Sequence, residues 1–207
     1  MQLRRFLLLL VVGLSLSTLA MADSVVSMKL LGTGSNTSGG YYTYPYYFSI
    51  NGGTSTPLMC DSFNNHVSVG ETWTAHVTGL LSGKGLYGNE LANYKAAGII
   101  FLEVMNNTIS PAAGNEAVWN LFTPGMTSDP TILGIDSNAL ASAKHTKSSY
   151  FKGLVLYTPV GASPGNGPQE YIGYGRPLTT PEPGSMMLLG TGLMGIAGVM
   201  RRKLLRG

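Results

Sequence analysis

The strongest intrinsic nucleophile of the chain is its single cysteine, Cys60, set in Leu58-Met59-Cys60-Asp61-Ser62-Phe63. As a catalytic thiolate it would need a lowered pKa and a base. His66 follows six residues later and serves as that base only if a turn folds it back. No third group completes a nucleophile, base and orienter, so the expectation is a small buried thiol, with no catalytic residue and no enzyme activity. His66, His76 and His145 are scattered singly without a second ligand at zinc-like spacing. A metal site from Asp61, His66 and Asp136 would need an accident of folding, so no metal and no cofactor is expected. Gly32-Thr33-Gly34 lacks the further glycine and the Lys-Ser/Thr of phosphate loops. The cluster Tyr41, Tyr42, Tyr44, Tyr46 and Tyr47 can stack on sugar rings or simply pack a sheet. Tyr44 and Tyr46 are the candidate glycan contacts.

The 207 residues suffice for one domain with a real core. A charged fraction of 11% excludes a disordered polyelectrolyte, and one cysteine excludes a disulfide framework. The net charge of +3 comes from the ends: Arg4, Arg5, Arg201, Arg202, Lys203 and Arg206. With these and Glu182 beside the tail set aside, 7 basic stand against 9 acidic residues, with no basic run. A nucleic-acid partner, which needs clustered Lys and Arg on one face, is not expected.

The ends carry an address. Arg4 and Arg5, the apolar run from Phe6 to Leu14, and Ala20-Met21-Ala22 read as a secretory signal peptide over residues 1–22, cut after Ala22. Near the other end Pro181-Glu182-Pro183 precedes an uncharged stretch from Gly184 to Met200, followed by Arg201, Arg202 and Lys203. That stretch is just long enough for a transmembrane helix, with the basic triplet holding its end in the cytoplasm. The three parts in this order resemble the PEP-CTERM sorting signal of Gram-negative bacteria. The resemblance implies a precursor held transiently in the inner membrane, processing by an exosortase, and a destination at the cell surface or outside, often with exopolysaccharide or biofilm.

The residues between are expected to form one exported domain, 23–165, a linker at 166–180, and the sorting segment 181–207. Gly32 to Gly40 reads as a loop. Strands are expected at Tyr41–Ile50, with Pro45 pushing it to an edge, and at Pro57–Ser62 after an Asn51-Gly52-Gly53 turn. Others are expected at Glu71–Thr78, with Trp73, Ala75 and Val77 on the inner face, at Tyr150–Tyr157 and at Glu170–Tyr174. The period changes to helical at Asn89–Met105, then at Ala112–Phe122 and at Ser137–His145 with Asp136 or Ser137 as N-cap. Strands, a two- to three-helix insert and strands again make an α+β domain built on an antiparallel β-sandwich or barrel. Trp73 and Trp119, the largest apolar groups, are expected to bury and to pack insert against sheet.

Cys60-Asp61-Ser62-Phe63, Val69-Gly70-Glu71-Thr72-Trp73, Tyr94-Lys95-Ala96-Ala97 and Asn115-Glu116-Ala117-Val118-Trp119 stand in an order that resembles exported PEP-CTERM bodies and, more distantly, the thioester domains of surface adhesins. In the latter a cysteine bonds the glutamine of a Gln-x-x-hydrophobic-Trp helix. Here Asn115 holds that position, one methylene short of the reach, so Cys60 and Asn115 form a degenerate pair. Gln169 is the other glutamine of the body, and nothing in the sequence places it against Cys60. The function expected is that of a non-enzymatic surface or matrix protein, with a glycan-binding or adhesin module as alternative and a Cys60 enzyme as the least favoured.

Overall fold

The computed structural model describes residues 24–175. The signal and sorting segments, with the helices expected in them, lie outside the described residues. Alternating burial along Ser24–Thr33 makes β1, with Ser24, Val26, Met28 and Leu30 inward and Val25, Ser27 and Lys29 outward. It is not among the strands expected above. Apolar Val25 and Leu31 on its outer face blur a period that is regular only for the inner one. β1 pairs with β4 (Tyr46–Ile50) on one side and with β6 (Thr72–Gly79) on the other.

β5 (Ser55–Cys60) follows β4 through a turn in which Asn51 and Gly52 take positive φ, the conformation that asparagine and glycine reach most cheaply. β7 (Leu154–Pro159) and β8 (Tyr171–Tyr174) complete the order β1-β4-β5-β8-β7-β6, an antiparallel barrel closed on itself. Of the two alternatives, sandwich or barrel, the fold is the barrel. Closure leaves β4 with neighbours on both sides, so it is not an edge. Pro45 instead ends the ladder. The expected strand from Tyr41 splits at it, because proline has no N–H to donate. Tyr41–Tyr42 (β3) pairs with Thr37–Ser38 (β2) as a separate two-stranded hairpin, inside what reads as loop in the sequence.

β8 is the strand expected at Glu170–Tyr174. It lies within the stretch expected as linker, yet its hydrogen bonds to β5 and β7 close the barrel. Among the described residues the barrel therefore runs on through Tyr174. The glycine- and proline-rich sequence before it, Gly161 to Pro168, is the turn that returns the chain into the barrel rather than a tether.

The helices α1 (Leu91–Met105), α2 (Pro111–Phe122) and α3 (Pro130–His145) are inserted between β6 and β7. Ser110 caps α2 by accepting from the Ala113 N–H at 3.3 Å, with Pro111 at the first helical position. α3 begins earlier than expected, at the cap Asp129, whose carboxylate accepts from Thr131 N–H at 2.7 Å. Asp136 is therefore a mid-helix residue, buried and bonded by Asn120 Nδ2 at 2.6 Å. Leu91 and Met105, at the two ends of α1, are each 39% exposed, whereas Tyr94, Ala97, Ile100, Phe101 and Val104 form its buried face. Gly114 lets α2 approach α1 closely, since a Cβ there would run into Val104.

Two layers of core result. Val26, Met28, Phe48, Leu58, Val77 and Tyr171 fill the barrel. Met59, Leu154, Leu156 and Ile172, on the other face of β5, β7 and β8, meet the helices. β7 is buried on both faces throughout. Trp119 leaves α2 to join the barrel layer, and Trp73 sits half-buried on the barrel against Phe48 and Tyr171. Trp119 alone of the two tryptophans joins insert to sheet.

Candidate functional site

Cys60 ends β5 with its side chain on the barrel side, fully buried and free. Burial first, then the neighbouring Asp61 carboxyl, push its thiol up to about 12. The thiol donates to the Ser62 carbonyl at 3.7 Å. The indole N–H of Trp119 has the Cys60 sulfur as its neighbouring acceptor, short of a full hydrogen bond. His66 is exposed and takes no part here, so it does not serve the thiol as a base.

Asn115 does come to this place from α2, fully buried. Its Nδ2 donates to the Cys60 carbonyl at 2.9 Å, and its Oδ1 accepts from the Tyr44 N–H at 2.8 Å. The side chain thus clamps two backbones together rather than facing the sulfur. The residue that sequence reasoning set aside is closer in chemistry. Gln169, just before β8, is buried, and its Nε2 donates to the same Ser62 carbonyl at 3.4 Å. Its Oε1 accepts from the Tyr171 hydroxyl at 2.8 Å. The pairing of Cys60 with Tyr171 across β5 and β8 brings a glutamine from far along the chain beside the cysteine. No local spacing encodes that.

On the opposite, helix-facing side of the same strand ends lies a pair of buried carboxyl groups, Asp61 and Glu170, both fully inaccessible. Glu170 accepts from the Tyr94 hydroxyl at 2.7 Å, the Leu86 N–H at 2.7 Å and the Thr158 hydroxyl. Asp61 has no such donors: neither of its carboxyl oxygens has a hydrogen-bond partner, and Glu170 is the neighbouring ionisable group. Burial raises both carboxyl groups, and two so close and so buried do not both ionise. The donors gather on Glu170, so Asp61 is the protonated member, its pKa raised first by burial and then by the Glu170 charge. No third ligand stands with them. His66 is exposed and Asp136 sits on α3 with Asn120, so the Asp61, His66 and Asp136 set is not brought together. Among the described residues no group of His, Cys, Asp and Glu has the makings of a metal site.

The tyrosines divide. Tyr46 is a barrel-core residue, 6% exposed, with its hydroxyl on the Tyr42 carbonyl, and it reaches the lining of the groove formed by Tyr41 and Tyr42. Tyr44 turns its ring edge-on to Phe101 of α1 and its hydroxyl to the Met105 sulfur at 2.9 Å. Tyr41 and Tyr42, on the separate hairpin, are 52% and 55% exposed. They line a groove of about 350 Å³ with Phe63, His66, Val69 and Gln169.

The comparison with known families finds a match in the C-terminal segment alone. Residues 179–203 match the PEP-CTERM protein-sorting motif. No curated protein and no solved structure matches the chain. The matched residues contain Pro181, Glu182 and Pro183 and the basic triplet Arg201, Arg202 and Lys203. The motif marks this chain as an exported protein, processed at the membrane by an exosortase-type system and destined for the cell surface.

Proposed function

We propose that the chain is a non-enzymatic surface or matrix protein associated with exopolysaccharide. Its signal peptide is cut after Ala22, and its C-terminal helix anchors the precursor in the inner membrane until the exosortase-type enzyme releases it. The matched tail carries this reading. The buried Cys60, which His66 does not serve as a base, supports it from the side of chemistry. Replacing Pro181, Glu182 and Pro183 by alanine is expected to leave the precursor in the membrane fraction, with no shortened form at the surface or in the medium. Fractionation and immunoblotting check this. Normal maturation of the alanine variant would refute the sorting assignment.

A second reading, a covalent adhesin, is favoured by one observation: the Cys60 thiol and the Gln169 carboxamide share the Ser62 carbonyl. In this reading Cys60 Sγ bonds to Gln169 Cδ, the Cδ–Nε2 bond breaks, and the thiol proton leaves with the nitrogen as ammonia. Asn115 then holds the β5 backbone instead of supplying the carbonyl. Gln169 lines the Tyr41 groove, which gives an incoming amine or hydroxyl a path to the thioester. Intact-mass measurement separates the readings. The covalent form is lighter by one ammonia, gains hydroxylamine with release of a thiol, and returns to full mass in both Cys60→Ala and Gln169→Glu after allowance for the substitution. A full mass in the native chain leaves the first reading alone.

A further inference from the structure

We propose that the groove under the β2–β3 hairpin is a binding site for a neutral polysaccharide, with pyranose rings on Tyr41 and Tyr42 and ring hydroxyls in the polar cleft that follows. The proposal deepens the surface-protein reading, which supplies the ligand, but it is testable apart from sorting.

The hairpin is held as a platform. Ser38 bonds Glu116 of α2, Tyr44 N–H bonds Asn115 of the same helix, and Thr43 N–H bonds the Asn36 carbonyl at 3.0 Å. Beneath the ring of Tyr41 stands Phe63, edge-on with centroids 4.9 Å apart, and behind Phe63 stands Trp119 at 5.2 Å. An aromatic column from the core thus fixes Tyr41 while Tyr41 and Tyr42 remain more than half exposed. Rigid aromatics of this kind bind without the entropy of ordering. Tyrosine rings offer apolar faces to the C–H side of a sugar and a hydroxyl at the rim.

The groove does not end at the tyrosines. His66 lines it and also lines a second cleft of about 300 Å³ with Asn64, Glu71 and Asn166. Aromatic floor then gives way to amide, imidazole and carboxylate groups, the donors and acceptors that match vicinal hydroxyls. The cleft wall is fixed too: Asn65 donates to the carbonyls of Ser163 and Asn166, both at 3.0 Å, and accepts from Gly165 N–H at 2.9 Å. Neither cleft has a lysine or arginine in its lining, and Glu71 is the one charged carboxylate between them. That excludes phosphate-rich and uronate polymers and selects a neutral chain. Two clefts that share His66 as a lining residue suit an extended ligand rather than a monosaccharide.

The test is pelleting of the purified full-length chain in mild detergent with insoluble cellulose, curdlan, mannan and chitin, against calcium-gelled alginate as the acidic comparison. Binding to at least one neutral polymer is expected, with affinity reduced about tenfold or more in the Tyr41→Ala, Tyr42→Ala double variant and recovered in Tyr41→Phe, Tyr42→Phe. His66→Ala should weaken it as well, since that side chain lines both clefts. Failure to pellet with any neutral polymer, equal pelleting of the alanine variant, or preference for alginate overturns the proposal. The exposed positions keep the variants folded, which circular dichroism checks. Because the purified chain is used, a failed pelleting assay leaves the sorting assignment standing, and a failed sorting experiment leaves the groove standing.

Discussion

Trp119→Ala is expected to destabilise the exported domain by about 3–5 kcal/mol, a large share of the total that a domain of this kind possesses. Trp119 is 2% exposed and is the side chain by which α2 enters the barrel. Its neighbours Ala117, Val118 and Leu121 belong to the other core layer, between helices and sheet. Truncation would open a void at the junction of the two layers, bounded by Phe63 and the Cys60 sulfur, neither of which is free to collapse into it. Trp73→Ala should cost less, because that ring is half-buried and touches the barrel alone. Urea unfolding followed by circular dichroism measures both. A loss below about 1 kcal/mol for Trp119→Ala would mean that α2 is peripheral to the barrel, against the packing described here.

Much of this architecture was legible where a residue's fate depends on its near neighbours. The Trp73, Ala75, Val77 face of β6 followed from alternation, and α2 from its period and the break before Pro111. What failed to read locally was set by closure of the barrel. Tyr46 and Tyr41 look equivalent in a tyrosine-rich run, yet the break at Pro45 puts one in the core and the other on an exposed hairpin. A strand beginning at Glu170 was expected, but its place in the barrel, beside β5, depends on contacts more than a hundred residues apart in sequence, such as Ser62 Oγ with the Glu170 N–H at 2.8 Å. The same separation hid Gln169 beside Cys60 and Glu170 beside Asp61. Asp136 and Ser137 are both residues that cap helices, yet the cap is Asp129, seven residues upstream of Asp136, with Pro130 at the first helical position.

The Asp61–Glu170 pair predicts an unusual dependence of stability on pH. In the unfolded chain Asp61 ionises near its ordinary value of 3.8, whereas in the folded chain burial and Glu170 hold its proton well above that. Below both values the two states bind the proton alike, and the contribution is fully present. As pH rises past about 4 the unfolded chain gives up the proton and the folded one does not. Stability then falls by about 1.4 kcal/mol per pH unit until Asp61 ionises in the folded protein. The direction is opposite to that of a salt-bridged carboxylate, which loses stability in acid. Asp61→Asn replaces the protonated acid by a neutral amide of nearly the same shape that has no proton to lose. This variant is expected to be more stable than the native domain at pH 7, to lose that advantage near pH 4, and to show a flatter profile between. Glu170→Gln should behave differently. Its amide group would face the three donors of Tyr94, Thr158 and Leu86, leaving at least one buried N–H or O–H unpaired at a cost of about 1–3 kcal/mol. The loss should appear at pH 4 as well as at pH 7. Urea midpoints for the three proteins across pH 4–8 decide the matter: a native profile that rises toward pH 7, with Asp61→Asn below it, would show that the proton resides elsewhere and that Asp61 is held as a carboxylate.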